Sequence, residues 1–238
     1  MQLVGLSDEA RSGKLYSRYS NIAKIAGVHM GKGSQTRERL MDIAETSILQ
    51  KGFGATSIDE VIAEAGITKS GFFYHFSDKT ELARALLLRY LEKENQMLDD
   101  LFERAKELNE DPLHAFLIGL KLFAELMASF PNGHPGCIVA TICYQERLFD
   151  DEVRRLNLEA VLAWRVRFRE TFEQIAEKYP PREDTNLDAL ADMVTSVTEG
   201  GIVISKAVGN PLLLSEQIIL FRSYIKLLFL PQVSEVAA

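Results

Sequence analysis

Five consecutive positions, Phe72-Phe73-Tyr74-His75-Phe76, carry three phenyl rings, a phenol and an imidazole. Thr68, Lys69 and Ser70 precede them and Lys79 follows. Hydroxyls, ammonium groups and an imidazole grouped this closely suit hydrogen bonding to phosphate oxygens, and the free amides of a helix start add to that attraction. Catalytic groupings are missing. The chain has no P-loop, no GxSxG, no HExxH and no dinucleotide fingerprint. His29, His75, His114 and His134 lack metal-ligand spacing, and Cys137 and Cys143 are too few for a zinc site or a disulfide framework. Neither a cofactor nor an enzymatic activity is expected.

The elements that must position these residues are helices. From residue 36 onward apolar side chains recur at helical spacing, and no run alternates as a strand would. Short helices are expected over 36–51, 58–65 and 69–75. Ser57 with Glu60 forms a capping box, Thr68 caps the third helix, and Asp78 with Glu81 launches a long helix to about 107. Proline and glycine then separate helices over 112–130, 137–148, 151–178 and two more before Pro231. The expected fold is all-α, with about nine helices.

Composition sets the class. Apolar residues make up 47% and charged residues 26%, which is ordinary globular composition with enough chain for a real core. No stretch matches the 18 or so uncharged apolar residues of a membrane helix, no signal peptide is visible, and the cytoplasm is the expected address. A net charge of −7 disfavours indiscriminate nucleic-acid binding, whereas residues 1–34 carry a net +3. That leader reads as a basic extension or a solvated tail, and Met30 is an alternative start. Residues 35–80 carry a net −2, so any DNA contact there depends on local placement.

Three short helices joined by tight turns, the last two through "AGIT", have the layout of a helix-turn-helix whose final member enters the major groove. The segment "TSIDEVIAEAGITKSGFFYHFSDKTEL" closely resembles the DNA-binding signature of the tetracycline-repressor (TetR) family of transcriptional regulators, a match covering residues 36 to about 90. Departures are Phe73 where a Tyr is frequent, Ser70-Gly71, and Ile62 four before Gly66. The resemblance implies an N-terminal three-helix DNA-binding domain over 35–80 and a C-terminal helical ligand-binding and dimerisation domain over 81–238. It also implies a homodimer that binds a palindromic operator and releases it when a small-molecule effector enters. Expected DNA-binding residues are Thr56, Ser57, Thr68, Lys69, Ser70, Phe73, Tyr74, His75 and Lys79, while Phe72 and Phe76 read as core. Phe73 reads equally as core or as a contact to a thymine methyl.

In the C-terminal body, broad apolar faces over 193–208 and 218–229 exceed what one core needs, and pairing with a second copy would cover them. Gly200-Gly201 marks close helix approach or room for a ligand, with close approach favoured. Candidate pocket residues are Phe123, Met127, Cys137, Tyr144, Trp164, Phe168 and Val197. Gly136-Cys137 at a helix start resembles a TetR branch that includes electrophile-responsive members, and a thiol so placed is activated unless it is simply a small buried residue. Competing readings are a helical adaptor that no longer reads DNA and a cysteine-based redox regulator.

Overall fold

Caps and turns divide the chain where the sequence punctuates it. The computed structural model describes residues 32–230, so most of the basic extension lies outside the described residues. Helix α1 (Lys32–Lys51) is followed by Gly52 at φ +86°, a left-handed position that favours glycine. Helix α2 (Ile58–Ala65) starts on the full capping box, with Ser57 Oγ accepting from the Glu60 amide at 3.1 Å and Glu60 Oε2 accepting from the Ser57 amide at 3.0 Å. Gly66, at φ +64°, ends it and turns the chain into α3 (Lys69–His75), which Thr68 caps through the Gly71 amide. Helix α4 (Lys79–Leu108) is capped by Asp78, but the Glu81 carboxylate reaches back to the Ser77 amide, one residue before the expected partner.

Helix α5 (Pro112–Ala128) has Asp111 as its cap and proline in its first turn. The helix expected over 137–148 is broken: α6 (Ile138–Tyr144) stops at Gln145 and a 3-10 turn (Glu146–Leu148) follows. Helices α7 (Asp151–Lys178), α8 (Leu187–Val208) and α9 (Leu213–Phe229) complete the chain. Among the described residues there are nine α-helices and no strand, and no helix is long and apolar enough to cross a membrane.

The described chain groups into two compact units. One comprises residues 32–96 and 135–162, the other residues 97–134 and 163–230, so α4 and α7 contribute to both. In the first unit α1 packs on α2 and α6, and α2 packs on α3. Its buried side chains include Leu40, Ala44, Ile48, Val61, Phe72 and Phe76. Arg89 of α4 holds α1 through three carboxylates: Glu38 at 3.0 Å, Asp42 at 2.8 Å and Glu45 at 2.5 Å. Burial opposes the charge on Arg89, but these acids more than offset it and raise its pKa.

In the second unit α9 packs chiefly against α5 and α8. Phe116, Phe172 and Phe229 form its aromatic centre, with Phe116 edge-on to Phe172 at 5.0 Å and Phe229 stacked on Phe172 at 6.3 Å. Gly201 lets α8 approach α9 closely, since a Cβ there would lie 3.1 Å from Leu214 Cα. Gly200, one residue before, faces open space. The apolar faces of α8 and α9 are thereby split. Val194, Ile202, Ile218, Phe221 and Ile225 are buried, while Met193, Ile204 and Val208 on α8 and Leu220, Tyr224 and Leu227 on α9 stay exposed.

Candidate nucleic-acid interface

Helix α3 separates its side chains sharply. Phe72 (0% exposed) and Phe76 (1%) are locked inside, 5.7 Å apart, whereas Tyr74 is 82% exposed. The backbone is anchored by rings, so the polar atoms on the other face are held without being consumed. Tyr74 stands edge-on to His75 at 5.0 Å, and the half-exposed Phe73 stands edge-on to Phe72. Thr68 and Ser70 share a 3.0 Å hydrogen bond at the surface. Lys69 pairs with Asp59 at 3.6 Å, but both side chains are mostly exposed, and such a pair exchanges readily for another anion.

Two expected contacts take structural roles. Thr56 is 2% exposed, its hydroxyl donates to the Gly52 carbonyl and bonds Ser47 Oγ, and its amide donates to Phe53 O. The expected outward hydroxyl therefore points inward, where it closes the turn on the Gly52 carbonyl. Lys79 donates to the Phe53 carbonyl at 2.6 Å and lies 4.2 Å from the Phe53 ring centroid. Desolvation pulls its pKa below the usual lysine value despite the nearby Glu60. Lys79 is thus a clip between α4 and the turn before α2, with its remaining donors near the surface. Ser57 remains exposed, its hydroxyl engaged as the α2 cap.

Most acids of residues 35–80 are engaged away from the exposed face of α3. Glu38, Asp42 and Glu45 face Arg89, a residue outside the helix-turn-helix. Glu60 is held by the Ser57 amide and Lys51, which bring its pKa down to about 2. Asp78 caps α4 and Asp59 meets Lys69. The exposed face of α3 is left with a cation, a phenol, an imidazole and two hydroxyls.

The candidate pocket residues do not converge. Phe168 lines an open groove of about 530 Å³ in the second unit, bounded by Phe102, Phe116, Lys106, Arg167 and Thr171. Phe123 and Met127 are core, and Trp164 and Val197 pack half-buried against the same core. Tyr144 is 83% exposed at the end of α6, because the helix stops before a further turn can cover it. Cys137 is 6% exposed and its sulfur accepts from the Ala140 amide at 3.4 Å, so it serves as a buried cap of α6.

Comparison with known proteins places this geometry. Residues 40–86 match the sequence model of the family described as "Bacterial regulatory proteins, tetR family". The HTH-type transcriptional regulator YxaF of Bacillus subtilis is 25% identical over 197 residues, covering 79% of this chain and 96% of that protein. The transcriptional regulator AcuR of Cereibacter sphaeroides is 24% identical over 162 residues, covering 67% and 71%. A regulatory protein TetR from Rhodobacter sphaeroides shares the fold with a TM-score of 0.66 at 23% identity, over 80% of this chain and 99% of its own. The α3 signature, the family match over residues 40–86 and the all-helical fold agree in supporting a TetR-type transcriptional regulator.

Proposed function

We propose that this regulator is a repressor that binds a palindromic operator as a homodimer and leaves it when a small-molecule effector binds. The observation that carries the DNA-binding part is the division of α3, with Phe72 inward, Lys69, Ser70 and Tyr74 exposed and His75 half-exposed on one short element. Backbone contacts from such groups fix register, and the half-exposed Phe73 offers an apolar contact to a base edge. We assign residues 35–80 to DNA binding and 81–238 to effector binding and dimerisation. Support for the dimer comes from the exposed stripe Met193, Ile204, Val208, Leu220, Tyr224 and Leu227 on α8 and α9, which a second copy would bury as a four-helix bundle. Support for the effector site comes from the aromatic-floored groove beside Phe168, whose volume suits a small molecule. A regulator of this kind works in the cytoplasm, on the chromosome.

The test is a pair of substitutions, Tyr74→Ala and Lys69→Ala, measured against a duplex selected by the wild type from a random pool. Lys79→Ala is a poor choice, because it also cuts the clip to Phe53. Loss of operator affinity by tenfold or so in each variant, with the dimer intact by sedimentation, supports the assignment. Wild-type affinity in both variants overturns it and favours a helical adaptor.

A further inference from the structure

The turn between α1 and α2 must deliver α2, and through Gly66 also α3, at a fixed angle. Its own bonds are local: Gly52 N to Ile48 O, Thr56 N to Phe53 O, and Thr56 Oγ1 to Gly52 O. Beyond the Ser47–Thr56 hydroxyl contact and the Lys79 clip on Phe53, further contacts come from a segment about ninety residues later, within the same unit. The Gly54 amide donates to Gln145 Oε1 at 3.1 Å across 91 residues of sequence. Gln145 Nε2 lies 2.8 Å from where a Cβ would stand on Gly52, and Leu148 Cδ1 lies 3.1 Å from where one would stand on Gly54. Side chains of the later segment therefore occupy the space that side chains on this turn would need. Phe149 completes the grip, its ring centroid 4.4 Å from that of Phe53, the residue whose carbonyl and ring also hold Lys79.

From this we infer that Gln145, assisted by Phe149, is a positioning residue for operator binding, acting through the Gly52–Thr56 turn; the inference rests on the assignment of α3 to DNA. The placement explains why α6 ends where it does. Breaking the helix at Gln145 turns its amide toward Gly54, and the 3-10 turn brings Leu148 and Phe149 over Gly54 and Phe53. Gly54 is exposed, so water replaces the Gln145 oxygen at little loss of stability. Water does not fix the orientation of the turn. A positioning role therefore separates from a merely structural one: orientation, and with it register on the duplex, is lost while the fold is kept.

The experiment compares wild type, Gln145→Leu and Gln145→Glu, with Phe149→Leu as an independent variant on the same contact. Each is measured for affinity to the duplex selected by the wild type, for affinity to a scrambled duplex of equal length, and for its urea midpoint. The readout is the ratio of the two affinities, which cancels the charge that Glu adds. Gln145→Leu is expected to lower that ratio by about tenfold, the equivalent of one hydrogen bond, with the urea midpoint close to wild type. Gln145→Glu, which keeps an acceptor oxygen for Gly54, recovers most of the ratio, and Phe149→Leu lowers it. An unchanged ratio in Gln145→Leu overturns the inference while leaving α3 as the DNA-reading helix. A wild type whose own ratio is one overturns the DNA assignment itself, and the positioning role with it.

Discussion

Replacing Gly200 and Gly201 by alanine, one at a time, separates two roles that adjacent residues play in α8. Alanine for glycine within a helix stabilises it by about 1 kcal/mol. At Gly201 the added methyl meets Leu214 Cδ1 at 2.7 Å and Leu214 Cα at 3.1 Å. Rotation of the leucine relieves the first contact, but the second is backbone, so α9 must shift. Overpacking of this kind costs about 1–3 kcal/mol, which cancels or outweighs the helix gain and leaves a net loss of about 1 kcal/mol. At Gly200 the methyl meets nothing within 4 Å in one protomer, so the helix gain of the subunit survives. That same methyl lies beside the exposed stripe proposed for pairing, where it would hold a partner helix away. The assay is urea unfolding by circular dichroism over a wide range of protein concentration, with the dimer constant from sedimentation, because dimer stability depends on concentration. Gly201→Ala should lower the midpoint at every concentration, dilute protein included. Gly200→Ala should raise the midpoint of dilute protein and weaken the dimer. Equal stabilisation by both would refute the close packing of α8 on α9.

Arg89→Met should destabilise the protein by about 2–3 kcal/mol in urea unfolding, less than the full loss of a buried pair, because Asp42 and Glu38 are exposed enough to be rehydrated. A loss below about 0.5 kcal/mol would show that the Glu38–Asp42–Glu45 cluster does not depend on it. His134 gives a pH signature. Burial, with the charge of Lys206, lowers its pKa from 6.5 to about 4, so the unfolded chain binds its proton first on acidification. The stability contributed by neutral His134 is fully present above pH 6.5 and falls away as pH drops toward 4, by up to about 3 kcal/mol. His134→Phe should flatten that limb of the stability–pH curve, and an unaltered limb would contradict the burial.

How much of this the sequence reveals depends on how local the cause is. Caps at Ser57 and Thr68, the turn at Gly66 and the proline at 112 act within three or four residues, and the helices they bound fall within a few residues of expectation. The break at Gln145 is different. "YQERLF" contains no glycine or proline, and the helix ends there because Gln145 finds its partner on Gly54. Thr56 looks like an outward hydroxyl in sequence, yet the turn draws it in. The net −2 of residues 35–80 hides where the acids point: Glu38, Asp42 and Glu45 gather on Arg89, which lies outside that window, and not on α3. In α8 the periodicity marks both apolar faces but cannot say which one α9 covers; a step from Gly200 to Gly201 changes the answer. Pocket residues are not legible from periodicity, since an aromatic at helical spacing looks the same in a core, as with Phe123, as beside a groove, as with Phe168.

The most direct test of the central claim is the salt dependence of binding to the wild-type-selected duplex and to a scrambled one, for wild type and Lys69→Ala. Sequence-specific reading through α3 predicts tight binding to the selected duplex alone at physiological salt. It also predicts that Lys69→Ala flattens the slope of log affinity against log salt by about 2 for a dimer, one phosphate per protomer at about 0.9 each. Equal and weak binding to both duplexes, abolished by salt and indifferent to Lys69, would contradict the account.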